Sequence, residues 1–591
     1  MKLLLTAVNA KYIHSNLAVY SIRAYAQARG IRAELAEFTI NQQKDEILRN
    51  LYERQPQVVC FSCYIWNISF VKDLIRDLKK ILPGTEIWTG GPEVSYDAER
   101  FLTEMPQVRG VMCGEGEETF LELAQYYTAC QQEKQSEGET KELADIRGII
   151  YRQEQEIRKN PAREILDMDT LVFPYEDLSR FANKILYYES SRGCPFSCSY
   201  CLSSIDKKLR FRSLSLVKKE LQFFLNHKVP QVKFVDRTFN CRRDHAMEIW
   251  QYLKEHDNGI TNFHFEISAD LLAQEEIQLL NTMRPGAVQL EIGVQSTNPR
   301  TIREIRRTAS FEKIRQQVEK VKAGNNIHQH LDLIAGLPFE DWDSFRKSFC
   351  DVYALKPQQL QLGFLKVLKG SYMYEQAEAY GCLYKSREPY EVLGTRWLDY
   401  GEICRLKGVE DMVEVYYNSG QFSSTIEALE ELFEDAFAMY EALAGFYKRK
   451  GYDGLSHSRI CRYEILREFL EELPGADLEA FDRRMVYDLY AREKLKTRPA
   501  WAPEQKEYKR QIRAFYEEEA QEPRFLKDYA GYQAKQLEKM THLEIFDRRV
   551  REKGCPKGIC ALLFDYRRRN PLTGDALVHE VELEGKTGER I

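Results

Sequence analysis

The chain has 591 residues, 43% hydrophobic and 30% charged, and 85 basic side chains against 91 acidic ones leave a net charge of -6. That length exceeds what one hydrophobic core organises and predicts roughly three or four domains. The slight acidity excludes a broad basic field for nucleic acid, and no apolar stretch approaches the length of a membrane span.

Residues 1–8 are apolar but too short for a signal sequence, and they run into Asn9 and Lys11 without a small-residue cleavage pattern. Fourteen cysteines in such a chain read as thiols and metal ligands in a reducing cytoplasm. Residues 2–9 predict a buried strand, followed by a loop and a helix over 15–29 that Gly30 stops. The alternation repeats with apolar runs at 58–64, 87–89 and 110–113 and an amphipathic helix over 71–81. Strands alternating with helices predict a doubly wound parallel sheet, whose ligands bind beyond the carboxyl ends of the strands. Four motif-rich loops fall at those ends: residues 9–17, the run Ser62-Cys63-Tyr64-Ile65-Trp66-Asn67, Gly90-Gly91-Pro92-Glu93, and Gly114-Glu115-Gly116-Glu117. A Gly-Gly pair after a strand lets a bulky ligand approach the backbone.

Residues 130–145 turn polar with no apolar period, which reads as a solvated connection, and residues 148–151 and 156–159 as a small hairpin. Six strand-like runs follow at 185–190, 231–236, 262–269, 288–295, 329–334 and 359–367, with helical stretches between them. Side chains two apart share a strand face. His264, Glu266, Ser268 and Asp270 therefore oppose Phe263, Phe265 and Ile267, and Gln289, Glu291, Gly293 and Gln295 repeat the polar pattern. Apolar faces packed on helices leave the polar faces inward, which predicts a ligand cavity inside a barrel. His328, His330 and Asp332 also share a face, either as metal ligands or as inward polar residues. After about residue 370 the periodicity is helical, clearest over 426–448. The tail holds Cys555 and Cys560, which belong to a second cluster only if another cysteine joins them, and the run Arg567-Arg568-Arg569, a solvated face or an anion contact.

Between the first barrel run and its helix lies Arg192-Gly193-Cys194-Pro195-Phe196-Ser197-Cys198-Ser199-Tyr200-Cys201, with cysteines at C-x3-C-x2-C spacing. Three thiolates on so tight a loop suit iron-sulfur or zinc chemistry, and an iron left without a protein ligand points to catalysis. The motif, with Tyr200 before its last cysteine, resembles the signature of the radical S-adenosylmethionine enzymes. The resemblance extends to Asp236-Arg237-Thr238-Phe239-Asn240, Glu266-Ile267-Ser268-Ala269-Asp270, Gly293-Val294-Gln295-Ser296 and Gly336-Leu337-Pro338. It implies a 4Fe-4S cluster on Cys194, Cys198 and Cys201. It also implies S-adenosylmethionine contacts from Tyr200, Asp236, Glu266, Ser268, Gln295 and Leu337, with Asp236, Glu266 and Glu291 alternatively facing substrate or cobalamin. Cys241 reads as a plain thiol.

The four loops of the first sheet resemble the cobalamin-binding domain that precedes the barrel in one branch of that family. The resemblance implies cobalamin held near His14, Ser15, Asn16, Ser62, Tyr64, Trp66, Gly90, Gly91, Pro92, Glu93, Gly114 and Glu117. The usual D-x-H-x-x-G motif is absent: His14 has Tyr12 two residues before it and Leu17 three after. The resemblance implies cobalamin bound without a protein imidazole, with His14 either a loop residue or, alternatively, a cobalt ligand.

Together these readings give an α/β chain: a doubly wound, Rossmann-like cobalamin-binding domain over 1–128, a polar linker and hairpin over 129–184, a partial six-stranded (β/α)6 radical S-adenosylmethionine barrel over 185–370, and a mostly helical substrate or cap domain over 371–591. The implied activity is methyl transfer to an unactivated carbon of a small-molecule or peptide substrate, with a flavodoxin or ferredoxin as reductant and no membrane. The alternatives are a non-methylating cyclisation, ring contraction or oxidation, a cluster-based sensor, and an RNA substrate resting on Arg567 to Arg569.

Overall fold

The computed structural model describes residues 1–132 and 142–583. The opening apolar run forms β1 (Leu3–Asn9), buried along its whole length because helices cover both faces. It is followed by α1 (Leu17–Gln27), β2 (Glu34–Thr39), α2 (Lys44–Arg54), β3 (Val58–Ser62), α3 (Ile68–Ile81), β4 (Glu86–Gly90), α4 (Pro92–Ser95), α5 (Ala98–Glu104), β5 (Gly110–Met112) and α6 (Gly116–Gln132). The sheet order is β2-β1-β3-β4-β5, all parallel. Amphipathicity drives the layering: α3 turns Ile68, Val71, Leu74, Ile75 and Leu78 onto the sheet, each worth about 1.5–3 kcal/mol on burial.

Two features of this sheet differ from the sequence reading. Strand β2, an edge strand with Glu34, Glu37 and Thr39 in its pattern, carries too little apolar signal to stand out. The hairpin β6 (Ile149–Gln153) and β7 (Glu156–Lys159) does not stand alone; it extends the sheet antiparallel beyond β5, with Gly110 opposite Tyr151. The centre of the polar connection, residues 133–141, lies outside the described residues.

The second layer system starts at β8 (Leu186–Tyr188). A small antiparallel pair, β9 (Ser191–Arg192) and β10 (Arg210–Phe211), interrupts it. Parallel strands β11 (Gln231–Phe234), β12 (Asn262–Ile267), β13 (Val288–Gln295), β14 (His328–Ala335) and β15 (Gln359–Phe364) follow, in the order β15-β14-β13-β12-β11-β8. The intervening helices are α7 (Leu214–Asn226), α8 (Arg243–Glu255), α9 (Gln274–Leu280), α10 (Pro299–Glu304), α11 (Phe311–Lys322) and α12 (Trp342–Tyr353). Phe263, Phe265 and Ile267 are buried with the helices, as their parity requires. Among the described residues β8 and β15 do not pair with each other, so the six strands make a partial barrel.

Beyond it, helices Tyr400–Val413, Ser423–Glu430, Ala436–Lys450, Arg459–Glu472 and Leu478–Arg492 pack as a helical layer. The amphipathic stretch over 426–448 is two helices, because the Asp435 side chain accepts from Ala438 N at 2.8 Å and starts the second. The chain then forms a three-stranded antiparallel sheet, β18 to β20 once the short pair β16 (Leu383–Tyr384) and β17 (Val392–Gly394) is counted. These are β18 (Thr541–Arg548), β19 (Lys557–Arg569) and β20 (Ala576–Val581). One apolar core runs from α1 and β1 through the barrel into the helical layer, so the parts are joined by burial rather than by a linker alone. Among the described residues, no helix is long and apolar enough to cross a membrane.

Candidate functional site

The cysteine motif sits on a loop tied off at its base. Ser191 pairs with Phe211 and Arg192 with Arg210, so residues 193–209 are closed into one excursion from the end of the first barrel strand. Gly193 has φ +91, and a Cβ there would press on the Lys208 carbonyl at 2.7 Å, so the tight closure requires glycine. The loop is pinned to the barrel where Ser199 N donates to Ile305 O (3.0 Å) and Met373 N donates to Ser199 O (2.8 Å). Cys194, Cys198 and Cys201 are all free thiols, Cys194 buried and the other two partly so. Burial pushes the Cys198 thiol up, Arg307 pulls it down, and Cys201 and Cys194 push it up, so the three sulfurs feel one another. Three free thiols on one anchored loop are a donor set that fits an iron-sulfur cluster. Burial, followed by the charge of Cys194, holds the nearby Cys241 thiol up at about 11.

A second group converges on this loop from β13. Arg307 donates from Nη1 to Tyr200 Oη (3.1 Å) and from Nη2 to Gly293 O (2.8 Å). Burial disfavours its charge, but Tyr200 and Cys198 outweigh that and raise its pKa. Gln295 ends β13 in the left-handed region (φ 70), where the register slips past Gly293, and its buried Oε1 has no hydrogen-bond partner. Strain and an orphaned acceptor beside the cysteine loop suit a ligand-binding end of a strand. Ser268 is held by Asn240, which bonds both its backbone N (3.0 Å) and O (2.9 Å), while its hydroxyl donates to Asp270 (2.6 Å). Tyr200, Ser268 and Gln295 thus lie at strand ends with these groups, whereas two other expected contacts are committed elsewhere. Asp236 accepts from Ser190 N (3.0 Å), Ser190 Oγ (2.7 Å) and Ser191 Oγ (2.5 Å) and knots the cysteine loop to β11; burial raises its pKa to about 6. The Leu337 side chain is wholly inside the core.

Inside the barrel the strand register stacks polar layers. Lys233 lies beside His264, His264 beside Gln289, and Gln289 beside His328; one step along, Glu266, Glu291 and His330 are neighbours. Lys233 Nζ donates to Glu291 Oε2 (2.8 Å) and stands 3.6 Å from Glu266. Burial pushes Glu291 up, but His264 and Lys233 win and hold it at about 2.

At the ends of the first sheet, the loop over 9–17 zips onto the barrel: Ile185 N donates to Ile13 O (2.8 Å), Ser15 Oγ to Ile185 O (3.0 Å), and His14 Nδ1 meets Tyr187 Oη at 2.6 Å. Burial, followed by the charges of Lys11 and Lys233, lowers the His14 pKa. Asn16 caps α1 by accepting from Val19 N and reaches Ser62 Oγ (3.3 Å), while Glu37, unremarked in the sequence, accepts from Asn9, Asn16, Tyr20 and Lys184. Tyr64 and Trp66 stack at 4.4 Å and 5°. Trp66 stays 42% exposed on a cavity of about 560 Å³ that Ile65, Phe70, Lys366 and Glu388 also line. Gly114 (φ +79) has open space about it. Small loops, a stacked aromatic pair and an adjoining cavity fit a large planar cofactor at these strand ends. Gly91 (φ +110) has a different reason to be glycine than ligand access: a Cβ there would collide with the Cys63 carbonyl of the neighbouring loop. Gly90 O accepts from Cys63 N (2.8 Å) in the same crossing, and Pro92 opens α4.

Glu93 and Glu117 face other parts of the protein. Glu93 accepts from Tyr390 Oη (3.0 Å). Glu117 accepts from Ser21 and from Arg192 Nη2 (2.6 Å); Arg192 also binds Glu115 (3.0 Å) and Glu189 (2.9 Å), and Arg210 binds Glu115 (2.8 Å). The Gly-Glu-Gly-Glu loop therefore clamps the base of the cysteine loop. Arg307 carries no signal of its own in the sequence, whereas Arg192 is marked by its place two residues before Cys194. In the tail, Cys555 and Cys560 are buried in an apolar cluster, and Arg567, Arg568 and Arg569 bind Asp528, Arg492 O and Gly574 O.

The chain matches three families in succession: B12 binding domain over residues 3–124, Radical SAM superfamily over 188–350, and Protein of unknown function (DUF4080) over 378–564. It is 27% identical over 275 residues to "Uncharacterized methyltransferase PH0819" of Pyrococcus horikoshii, covering 44% of this chain and 56% of that protein. It is 25% identical over 309 residues to "Cobalamin-dependent radical SAM methyltransferase TokK" of Streptomyces tokunonensis, covering 49% and 44%. The chain thus spans about half the length of these curated relatives. The solved structure of "Cobalamin-dependent S-adenosylmethionine radical enzyme OxsB" shares the fold at TM-score 0.55 and 16% identity, over 82% of this chain and 78% of that one. A B12 binding domain and a radical S-adenosylmethionine superfamily domain thus follow one another on this chain.

Proposed function

We propose that this chain is a methyltransferase that alkylates an unactivated carbon of a small-molecule or peptide substrate. The observation that carries the reading is the clamp of Glu115 and Glu117 on Arg192, which docks the cobalamin-domain loop directly on the cysteine loop. This docking brings the two cofactor-binding parts of the chain together. When bound, the cluster and S-adenosylmethionine supply one-electron radical chemistry, and cobalamin supplies a methyl carrier.

The residues divide the remaining work. Cys194, Cys198 and Cys201 hold the cluster. Tyr200, Ser268 and Gln295, with Arg307 behind them, receive S-adenosylmethionine at the ends of the barrel strands. Residues 14–16, Ser62, Tyr64, Trp66, Gly90 and Gly114 would form the cobalamin side, where His14 is engaged by Tyr187. The polar barrel interior takes the substrate, and the docked domains keep water from the reacting groups. We place the protein in a reducing cytoplasm beside a flavodoxin- or ferredoxin-type reductant, in keeping with its free cysteines. The methyltransferase names of the relatives support the reaction class.

The test is anaerobic reconstitution with iron, sulfide and hydroxocobalamin, followed by product analysis under reduction with S-adenosylmethionine. Stoichiometric cobalamin with both S-adenosylhomocysteine and 5'-deoxyadenosine supports methyl transfer. Substrate-stimulated 5'-deoxyadenosine alone selects a non-methylating reaction, and a chain that takes up no cobalamin refutes the reading.

A further inference from the structure

We infer that the barrel interior holds a divalent transition-metal site, separate from the cysteine loop, with Glu291, His330 and Asp332 as ligands. The donor atoms of these three side chains all lie within 4.8 Å of one another. Donors on a tetrahedral zinc are roughly 3.3 Å apart, given bonds of about 2.0–2.1 Å, so small side-chain movements close the shell.

Two features point to a cation there. The first is orphaned donors: His330, only 6% exposed, has its Nε2 3.0 Å from Asp332 Oδ1, yet neither atom has an aligned hydrogen-bond partner. Buried polar atoms are seldom left without an aligned hydrogen bond, and an ion shared between the two would satisfy both. The second is support for the ligand carboxylate. Glu291 Oε2 is taken by Lys233 (2.8 Å) and approached by His264 Nε2 (2.9 Å), which fixes the group and leaves Oε1 for the metal.

The Glu266, Glu291 and Asp332 side chains keep 34%, 21% and 20% of their accessible surface, while His330 Nε2 and Asp332 Oδ1 are themselves buried. One imidazole and two carboxylates suit zinc, manganese or ferrous iron, and three protein ligands leave a position open to a polar group of the substrate.

The experiment uses the full chain with its cluster reconstituted, so that the motif cysteines are occupied, equilibrated with Zn2+ and passed through a desalting column. Expected are about one zinc per chain by elemental analysis and a zinc-edge X-ray absorption shell of nitrogen and oxygen at about 2.0–2.1 Å. His330→Ala and Asp332→Asn should each lower zinc retention at least tenfold while iron content stays at the parent level. Zinc absent from the parent chain, zinc retained in both variants, or a sulfur shell near about 2.3 Å each overturns the inference. The absorption spectrum of the parent decides the matter even if a variant fails to fold.

Discussion

Arg192 Nη2 and Glu117 Oε1 stand 2.6 Å apart although the two residues are 75 positions apart in sequence, and they join the loop after β5 to the cysteine loop. Burial disfavours the Arg192 charge, but Glu189, Glu117 and Glu115 together keep the guanidinium fully protonated. A buried arginine that loses one of its carboxylates is left partly uncompensated, at a typical cost of about 3–5 kcal/mol. Glu115 and Glu189 remain, so Glu117→Ala should cost about 2–3 kcal/mol, and Glu117→Gln, which keeps a hydrogen bond, about half that. Anaerobic urea denaturation of the apo chain measures both, and an Ala variant unfolding at the parent midpoint would remove the clamp from the account.

Two glycines at the ends of neighbouring strands should behave oppositely. Gly91 combines φ +110 with a collision between any Cβ and the Cys63 carbonyl, whereas Gly114 has φ +79 and nothing within 4 Å. Gly114→Ala pays only backbone strain, about 1 kcal/mol. Gly91→Ala must also push apart the loops after β3 and β4, and should yield insoluble chain or a loss above about 3 kcal/mol. Thermal melts of the two variants side by side check the contrast; equal melting temperatures would mean that the loops move freely.

What the sequence disclosed followed from periodicity and spacing. The six barrel strands and the inward face of His264, Glu266 and Glu291 come from a two-residue repeat that only one register satisfies. The cysteine loop comes from a spacing few other structures use. Strand β2 escaped because an edge strand needs to bury only every second side chain, here Ala36 and Phe38. The antiparallel sheet after Thr541 escaped because helical periodicity dominates the region before it. Among site residues, Glu117 lies in a glycine-rich loop that suits a cofactor equally well, and only the fold brings Arg192 to it. Arg307 reaches Tyr200 across 107 residues, a pairing that no local pattern encodes.

A buried carboxyl group gives the barrel a pH dependence. Glu340 is fully buried, accepts from Ser296 (2.6 Å) and Ser348 (2.8 Å) through Oε1, and has no partner for Oε2. Burial raises its pKa from 4.5 to about 7. Between those values the folded chain holds a proton that the unfolded chain has released. The stabilisation is therefore complete below about pH 4.5 and is lost as pH rises through about 7. Glu340→Gln keeps the shape and never ionises, so it should exceed the parent in stability by about 1–3 kcal/mol at pH 8, with the gap closing toward pH 5. Denaturation series at pH 5, 6.5 and 8 test this, and a gap independent of pH would show that Glu340 does not titrate in that window.

Arg307 is the buried cation nearest in effect to Cys198, and its two bonds to Tyr200 and Gly293 hold it against the cysteine loop. Reducing a cluster adds negative charge, and a fixed cation favours that state. A unit charge acting through protein at an effective dielectric near 20 is worth a few kcal/mol at contact range. Part of this is screened, so Arg307→Met should lower the one-electron midpoint potential of the reconstituted cluster by roughly 50–100 mV, 59 mV being a tenfold change. Arg307→Lys should recover most of the shift, because it restores charge without the planar fork. Redox titration followed by electron paramagnetic resonance reads the potential, and iron and sulfide analysis runs alongside it. A purely structural arginine would behave differently: the Met variant would lose iron in proportion to misfolded chain, and the clusters that remained would keep the parent potential.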